Sequence, residues 1–355
     1  MSSATDAGSS SGVSDTVISV AIPCYNYGRY LESCVRSVVE QQGVSTRVLI
    51  VDDCSSDDSQ ERAAELVRVF DNVEYTRHAR NQGHIATFND GVDWANGLGF
   101  ALLSADDLLA PGSLGTAASV LTAHPSVGLL YGDVLRFDEV APSPVVAPPV
   151  VSIVPGGTWV RRRCSTGENN TFSPEIVVRT DVQRQIGPYH HGLKHTSDLH
   201  MWLRAATVSD VARVAGPTHA FYRVHGDNMS AGFGEAALDL EQRREAFRLF
   251  FADADFRRPE SERLERLAMR ALARDAVERS SRRMDHDAEF DPSDLVDFAL
   301  DTDPGLTRSP AWLGHTLRRR LGPGRWPWFP PFVLGRLARR ARFLRRHPRL
   351  RRDPD

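Results

Sequence analysis

The sequence predicts an α/β fold, a Rossmann-like, doubly wound and mostly parallel sheet followed by a C-terminal helical appendage. Three observations carry this expectation. Short apolar runs rich in β-branched residues recur along the first part of the chain, as in strands buried on both faces. Segments with apolar residues at helical spacing separate them, and alternation of this kind marks a sheet covered by helices. From Glu235 to Met284 the chain is dense in Ala, Leu, Arg and Glu at helical spacing, which reads as a separate helical region.

The first strand is VISVAIP, Val17 to Pro23. Leu31, Val35, Val38 and Val39 then fall at helical spacing within Leu31 to Gln41, and RVLIVDD from Arg47 to Asp53 closes a βαβ unit. A helix over Ser59 to Phe70, a short strand near Val73 to Thr76, a helix over Thr87 to Asn96 and the strand GFALLS at Gly99 to Ser104 continue the alternation. A helix around Leu114 to Ala123 and a strand at Val127 to Asp133 follow. Five prolines among valines make Ala141 to Pro155 a surface loop or edge rather than a core element. There is no internal repeat.

With 355 residues and 41% hydrophobic side chains the chain can bury a substantial core. The expected organisation is a disordered Ser- and Gly-rich leader over 1–15, a catalytic domain over 16–233, the helical appendage over 234–310 and a basic, aromatic- and Arg-rich tail over 311–355. The net charge of −3 conceals an asymmetry. Residues 316–355 hold 13 Arg against two Asp, leaving 30 basic and 44 acidic side chains in the rest. Cys24, Cys34, Cys54 and Cys164 form neither a CxxC pair nor a regular pattern with histidines, so no zinc site or disulfide framework is indicated. The leader lacks the basic start and apolar stretch of a secretion signal, and no apolar run reaches the ~18 residues needed to cross a bilayer. The expected location is cytoplasmic, soluble or peripheral to a membrane.

Ligands of open α/β sheets bind beyond the carboxyl ends of the strands, so the residues after each strand are the ones to inspect. They are unusually polar. The first strand delivers Pro23, Cys24, Tyr25 and Asn26; the second Asp52 and Asp53, then Ser55, Ser56 and Asp57; the strand ending at Ser104 delivers Asp106 and Asp107. An Asp-Asp pair suits Mg2+ or Mn2+, which bind through one or two carboxylates and share the remaining positions with substrate phosphates. Read alone, the same pair would cap the helix that follows, and Asp52-Asp53 would be turn chemistry; their positions after strands favour a site.

The segments AIPCYNYGRYLESCVRSVVEQ, VLIVDDCSSDDS, RNQGHIATFNDGV and LLSADDLLAPGSL, in that order over Val17 to Leu114, resemble the donor half of glycosyltransferase family 2, which has the GT-A fold. A weaker continuation runs to about Ser230. The resemblance implies an inverting enzyme that uses a UDP-, dTDP- or GDP-linked sugar and a divalent metal. It places Pro23, Tyr25, Asn26 and Asp53 on the nucleoside, Asn81 and Gly83 beside the donor, and Asp106 and Asp107 on ribose and metal. Many members carry a further aspartate where this chain has Ser104, which removes one negative charge from the metal site.

An inverting transfer needs a carboxylate to take the acceptor proton. Asp198, heading a predicted helix that buries Leu199, Trp202 and Leu203, resembles the family's acidic general base, although Ser197 stands where Glu often precedes it. An N-cap role would also explain it. In FYRVHGDNMS, His225 resembles a histidine that helps hold the metal and diphosphate, and Arg223 is a candidate diphosphate contact; a packing or surface histidine is the alternative.

Trp159, Glu168, Asn169, Asn170, Pro188, Tyr189, His190, His191 and His195 offer aromatic and amide groups for an unidentified hydroxyl acceptor. In the tail, Leu334, Leu337, Ala338, Ala341 and Leu344 share a helix face amid arginines, which suits an anionic membrane surface, pairing with the acidic body or self-association. No nucleic-acid motif accompanies these arginines. Two other functions compete with transfer. A sugar nucleotidyltransferase would carry a Gly-rich phosphate loop that Pro23 to Asn26 lacks, and a catalytically inactive nucleotide-sugar-binding or scaffold homologue would account for Ser104 and Ser197.

Overall fold

The computed structural model describes residues 16–171, 173–226, 228, 236–287 and 289–321. The expected leader and the Leu334 to Leu344 face of the tail lie outside the described residues. The chain divides into two compact units, one ending at Arg161 and resuming over Asn169–Ala231, the other made of Arg162–Glu168 and the chain from Gly232 onward.

The first unit is built on one sheet. Its strands are β1 (Val17–Cys24), β2 (Ser45–Asp52), β3 (Val73–Arg77), β4 (Gly99–Leu102), β5 (Leu108–Leu109), β6 (Val127–Phe137), β7 (Val150–Val154), β8 (Ile176–Arg179) and β9 (Asp210–Arg223). They lie in the order β3-β2-β1-β4-β8-β6-β9-β5, with β7 also on β9. The β3-β2-β1-β4 half is parallel throughout, and β6 runs parallel to β9. Antiparallel pairings join β8 to β4 and β6, and β5 and β7 to β9.

Burial on both faces explains the unbroken apolar run of β1. Val20 and Ile22 belong to the core cluster that includes Leu31, Val35 and Val38 of α1 (Gly28–Val39), while Ala21 turns to the opposite face. There it meets Gly91 of α3 (His84–Trp94). Each fully buried Val, Leu or Ile of this layer stabilises the fold by ~1.5–3 kcal/mol. Helices α2 (Ser59–Val69) and α4 (Ser113–Ala123) complete the alternation, and Arg179 donates to the carbonyls of Leu121, His124 and Val127, closing the end of α4.

Three features go beyond the sequence expectation. Helix α3 starts at His84 rather than Thr87, because Gly83 adopts φ 87° and its N–H and that of Gln82 are taken by the Asp53 carboxylate. The proline-rich segment ends in a strand, β7, whose Val150, Val151 and Ile153 are exposed. Beyond β6 the sequence pattern gave only the helix headed by Asp198, which forms as α7 (Ser197–Val208); the chain adds α5 (Gly156–Thr166), β8, α6 (Thr180–Ile186) and the 14-residue β9, whose pairing with β6 is broken by register shifts.

The second unit contains α8 (Ala236–Ala252), α9 (Ser261–His286), α10 (Ser293–Thr302) and α11 (Pro310–Leu321). Leu240, Phe247, Phe250, Leu272, Val277 and Phe298 are buried in it. Arg243, itself buried, donates to the Gly167 carbonyl and pairs with Asp239 and Asp275. Among the described residues no helix is long and apolar enough to cross a membrane.

The contact at Gly91 yields a prediction. A Cβ there would stand 2.4 Å from the Ala21 Cβ, so α3 must lift from β1 to admit any side chain. Gly91→Val should destabilise the protein by about 2–3 kcal/mol in denaturant unfolding, despite valine's better helix propensity.

Candidate active site

The carboxyl edge of β3-β2-β1-β4 gathers the polar residues expected from the sequence. Because β2 and β4 flank β1, their tips lie ~10 Å apart, two strand spacings. Asp52, Asp53, Asp106 and Asp107 are all buried at this edge.

The two aspartates after β2 are used differently. Asp52 is fully buried and accepts from the Ser55 N–H, the Tyr75 hydroxyl and the Arg77 guanidinium, so it holds the loop that follows. Asp53 accepts from the Gln82 N–H through Oδ1 and from the Gly83 N–H through Oδ2, each at 2.7 Å. It thereby fixes the Asn81–Gly83 turn against the tip of β2. His78 bridges Asp53 Oδ1 and Asp90 Oδ2 at 2.7 and 2.6 Å.

Asn26 has φ 59° and Cys54 φ 62°, left-handed backbone that costs on the order of 1 kcal/mol or more each outside glycine. Hydrogen bonds hold the pair of turns together: Asn26 N–H donates to Ser55 Oγ, and Asn26 Oδ1 accepts from the Ser56 N–H and hydroxyl. Asp57 accepts from the Gly28 N–H, anchoring the start of α1. Tyr25, 49% exposed, and Asn81 face solvent at this edge, and Pro23 is partly buried within β1.

After β4 the chain turns tightly, the Asp107 N–H donating to the Ser104 carbonyl. Helix α1 braces this turn. Cys34 lies 3.5 Å from the Ser104 carbonyl, Ser37 Oγ accepts from Leu109 N–H, and the Gln41 amide bonds the Ala110 carbonyl and the Leu114 N–H. Neither aspartate caps α4, which is preceded by Gly112 in the left-handed region. Burial pushes the Asp106 carboxyl above its ordinary range; Asp107 rises well above it, through burial and then the adjacent Asp106 charge.

Strand β9 supplies the counterpart. Asp107 accepts the Arg223 N–H at 2.8 Å, and Asp106 Oδ2 lies 3.0 Å from His225 Nε2 and 3.4 Å from Asn228 Nδ2. The imidazole packs against Tyr27 and Tyr30 at ring separations of 5.7 and 5.5 Å. Arg223, expected beside the diphosphate, is engaged within the protein. Its Nε and Nη1 donate to the carbonyls of Asp106, Asp138 and Glu139, and its guanidinium lies between the Tyr30 and Phe137 rings. That is the geometry of a post holding the acidic turn.

Among the described residues no group of three or more His, Cys, Asp or Glu side chains is arranged to hold a metal ion. Two residues there are of the donor types that Mg2+ or Mn2+ takes. The Asp106 to His225 separation is 3.0 Å, and these are a hard oxygen and an imidazole at an edge already rich in buried carboxylate.

Asp198 lies in the first turn of α7, whose N-cap is Thr196. Its two oxygens accept from Asn169 Nδ2 at 3.0 and 3.2 Å, and Oδ1 also accepts from the Leu199 N–H. Burial raises its carboxyl above the ordinary value, opposed by the Leu199 and Asn169 hydrogen bonds and by His195. Leu199, Trp202 and Leu203 are buried beneath it.

The expected acceptor-side aromatics are core instead: Trp159 and Tyr189 are 4% and 2% exposed. Tyr189 is pinned by reciprocal hydrogen bonds between its backbone and the Asn89 amide, and packs on Phe88. Pro188, His190, His191 and Asn170 remain exposed. Glu168 falls in the second unit. The sequence reading missed His78, Asn228 and the Asn169 to Asp198 pair. His78 immediately follows β3, so the strand-end rule that drew attention to Asp53 would have found it.

Comparison with known proteins identifies the domain. The family model described as Glycosyl transferase family 2 matches residues 19–180. An uncharacterized protein of Mycobacterium tuberculosis, MT1568, is 37% identical over 115 residues, which span 32% of this chain and 35% of the relative. An uncharacterized glycosyltransferase of Nostoc sp., alr2836, is 25% identical over 243 residues, 64% of this chain and 71% of the relative. Among solved structures, S. aureus TarS 1–349 in complex with UDP-GlcNAc superposes with a TM-score of 0.58 at 17% identity, covering 84% of this chain and 79% of that one. The mannosyltransferase PcManGT from Pyrobaculum calidifontis, in complex with GDP-Man and Mn2+, gives 0.52 at 15% identity, covering 84% and 77%. The fold shared with these structures is the GT-A fold. Residues 19–180 match the model of glycosyltransferase family 2.

Proposed function

We propose that the protein transfers a sugar from a nucleotide-diphosphate donor to an acceptor hydroxyl, with inversion at the anomeric carbon. The observation that carries this reading is the meeting of Asp106 with His225 beside a second buried aspartate, on the same sheet edge as Asp53. The UDP-GlcNAc and GDP-Man complexes of the two structural neighbours support a nucleotide-sugar donor.

In this reading Pro23, Tyr25, Asn26 and Asp53 form the nucleoside seat, with Asn81 and Gly83 beside the donor. Asp106 and His225 hold Mg2+ or Mn2+, with Asp107 fixing the turn from which Asp106 projects. The ion would stabilise the negative charge that grows on the leaving diphosphate. Arg223 acts through this turn rather than on the phosphates. Asp198 takes the acceptor proton as the hydroxyl oxygen attacks; its desolvated carboxylate is a stronger base than one in water, and Asn169 fixes its orientation.

Three outcomes test this assignment. Asp198→Asn should lower the transfer rate about 10²–10⁴-fold while leaving nucleotide affinity nearly unchanged, measured as nucleoside diphosphate release from UDP-, dTDP- and GDP-sugars with candidate acceptors. Retained turnover in that variant would remove Asp198 from the mechanism, and binding without turnover in the wild type would point to a scaffold. Chelation should abolish transfer, and added Mn2+ should restore it. Asn169→Ala removes a hydrogen bond that favours the ionised form of Asp198. The acidic limb of the rate profile should therefore move to higher pH by about one unit, the equivalent of a hydrogen bond to a charged group.

A further inference from the structure

The tips of β2 and β3 carry a side-chain bridge that the transfer chemistry leaves unused. The His78 ring is 9% exposed and lies between two carboxylates, with Nδ1 2.7 Å from Asp53 Oδ1 and Nε2 2.6 Å from Asp90 Oδ2. A neutral imidazole has one N–H and one lone pair, so in that state one of these contacts would set a lone pair against a carboxylate oxygen. Both distances are in the range of charge-assisted hydrogen bonds, and an N–H on each nitrogen satisfies both. The arrangement suits an imidazolium between two carboxylates.

We propose that His78 is a proton-dependent positioning residue for the donor nucleotide: as imidazolium it locks the Asp53 carboxylate and the Gln82–Gly83 turn in the binding geometry. The inference rests on the nucleotide-sugar reading of the Asp53 edge. A carboxylate offers about four acceptor sites. On Asp53, His78 and the Gln82 N–H share Oδ1 and the Gly83 N–H takes one site on Oδ2, so the remaining acceptor capacity has a fixed direction. Loss of the His78 proton replaces an attraction by a repulsion at Oδ1 and frees the carboxylate to rotate.

The groups facing His78 are Asp53 at the end of β2 and Asp90 on α3, the latter 46% exposed. Its neighbour Arg77 is engaged with Asp52 and the Ser55 carbonyl. His84, at the start of α3, bonds the Lys194 carbonyl and is held below its usual range by burial. Burial also pulls the His78 ring down, but the hydrogen bonds and charges of Asp53 and Asp90 outweigh it and raise the net value above 6.5. The contribution of the imidazolium is therefore fully present below the ordinary histidine range and lost as pH rises through the raised value.

The test measures binding of UDP and of GDP, each with Mn2+, by calorimetry from mildly acidic to alkaline pH, in wild type and in Asp90→Asn. The His78 imidazole shifts are followed by NMR in the same samples. Asp90→Asn removes one of the two charges that hold the proton without altering Asp53. The expected result is a fall in affinity of about tenfold in wild type as His78 deprotonates, the worth of one charge-assisted hydrogen bond. In Asp90→Asn, both the affinity midpoint and the imidazole titration should move to lower pH together. An affinity midpoint that stays put while the imidazole titration moves would overturn the inference alone, as would an imidazole that is neutral at mildly acidic pH. Absence of binding of either nucleotide to wild type at every pH would overturn the nucleotide-sugar reading and this inference with it.

Discussion

The site depends on how carboxyl groups can be buried at the end of a sheet. A buried charge without partners costs several kcal/mol or more, so each acidic residue at this edge must be answered locally. The answers differ from residue to residue. Asp52 is answered by a guanidinium, a hydroxyl and a main-chain N–H, and becomes part of the frame. Asp107 is answered by the Arg223 N–H and helps join the acidic turn to β9. Asp53 and Asp106 are answered partly by imidazoles, His78 and His225.

The frame around Asp106 is assembled from three separate parts of the chain. Helix α1 supplies Cys34, Ser37 and Gln41 from one side, and β9 supplies Arg223 from the other. The Arg223 side chain runs between two aromatic rings and ends on main-chain carbonyls, which ties the turn after β4 to the chain after β6. His225 follows two residues later, so its distance to Asp106 is set by the same post. Preorganisation of this kind is what lets charge be met where it develops, without rearrangement during the reaction.

The parallel half of the sheet was legible from the sequence because two-sided burial leaves an unmistakable apolar run, and strand ends then point to the ligand edge. Asp53, Asp106 and Asp107 were singled out in this way, and all three are buried at that edge. The antiparallel half was less legible. Strand β9 is interrupted by Gly216 and Pro217 and shifts register against β6, so its pattern carries no clean period. Partners distant in sequence were illegible for another reason: nothing local to Asn169 or Asp90 announces Asp198 or His78. The aromatic residues offered for the acceptor, Trp159 and Tyr189, misled because ring chemistry serves a core as well as a sugar, and only burial distinguishes the two.

The placement of Arg162–Glu168 with the second unit has an engineering consequence. In that unit the Gly167 carbonyl accepts from the buried Arg243, and Gly167 lies against Leu272. A single cut after Ala231 therefore cannot yield two intact halves. The N-terminal fragment would keep seven residues of the second unit, among them Gly167, whose partners Arg243 and Leu272 had been removed with the helices, immediately ahead of Asn169. Any minimal transferase made from this chain would need a redesigned bridge between Arg161 and Asn169.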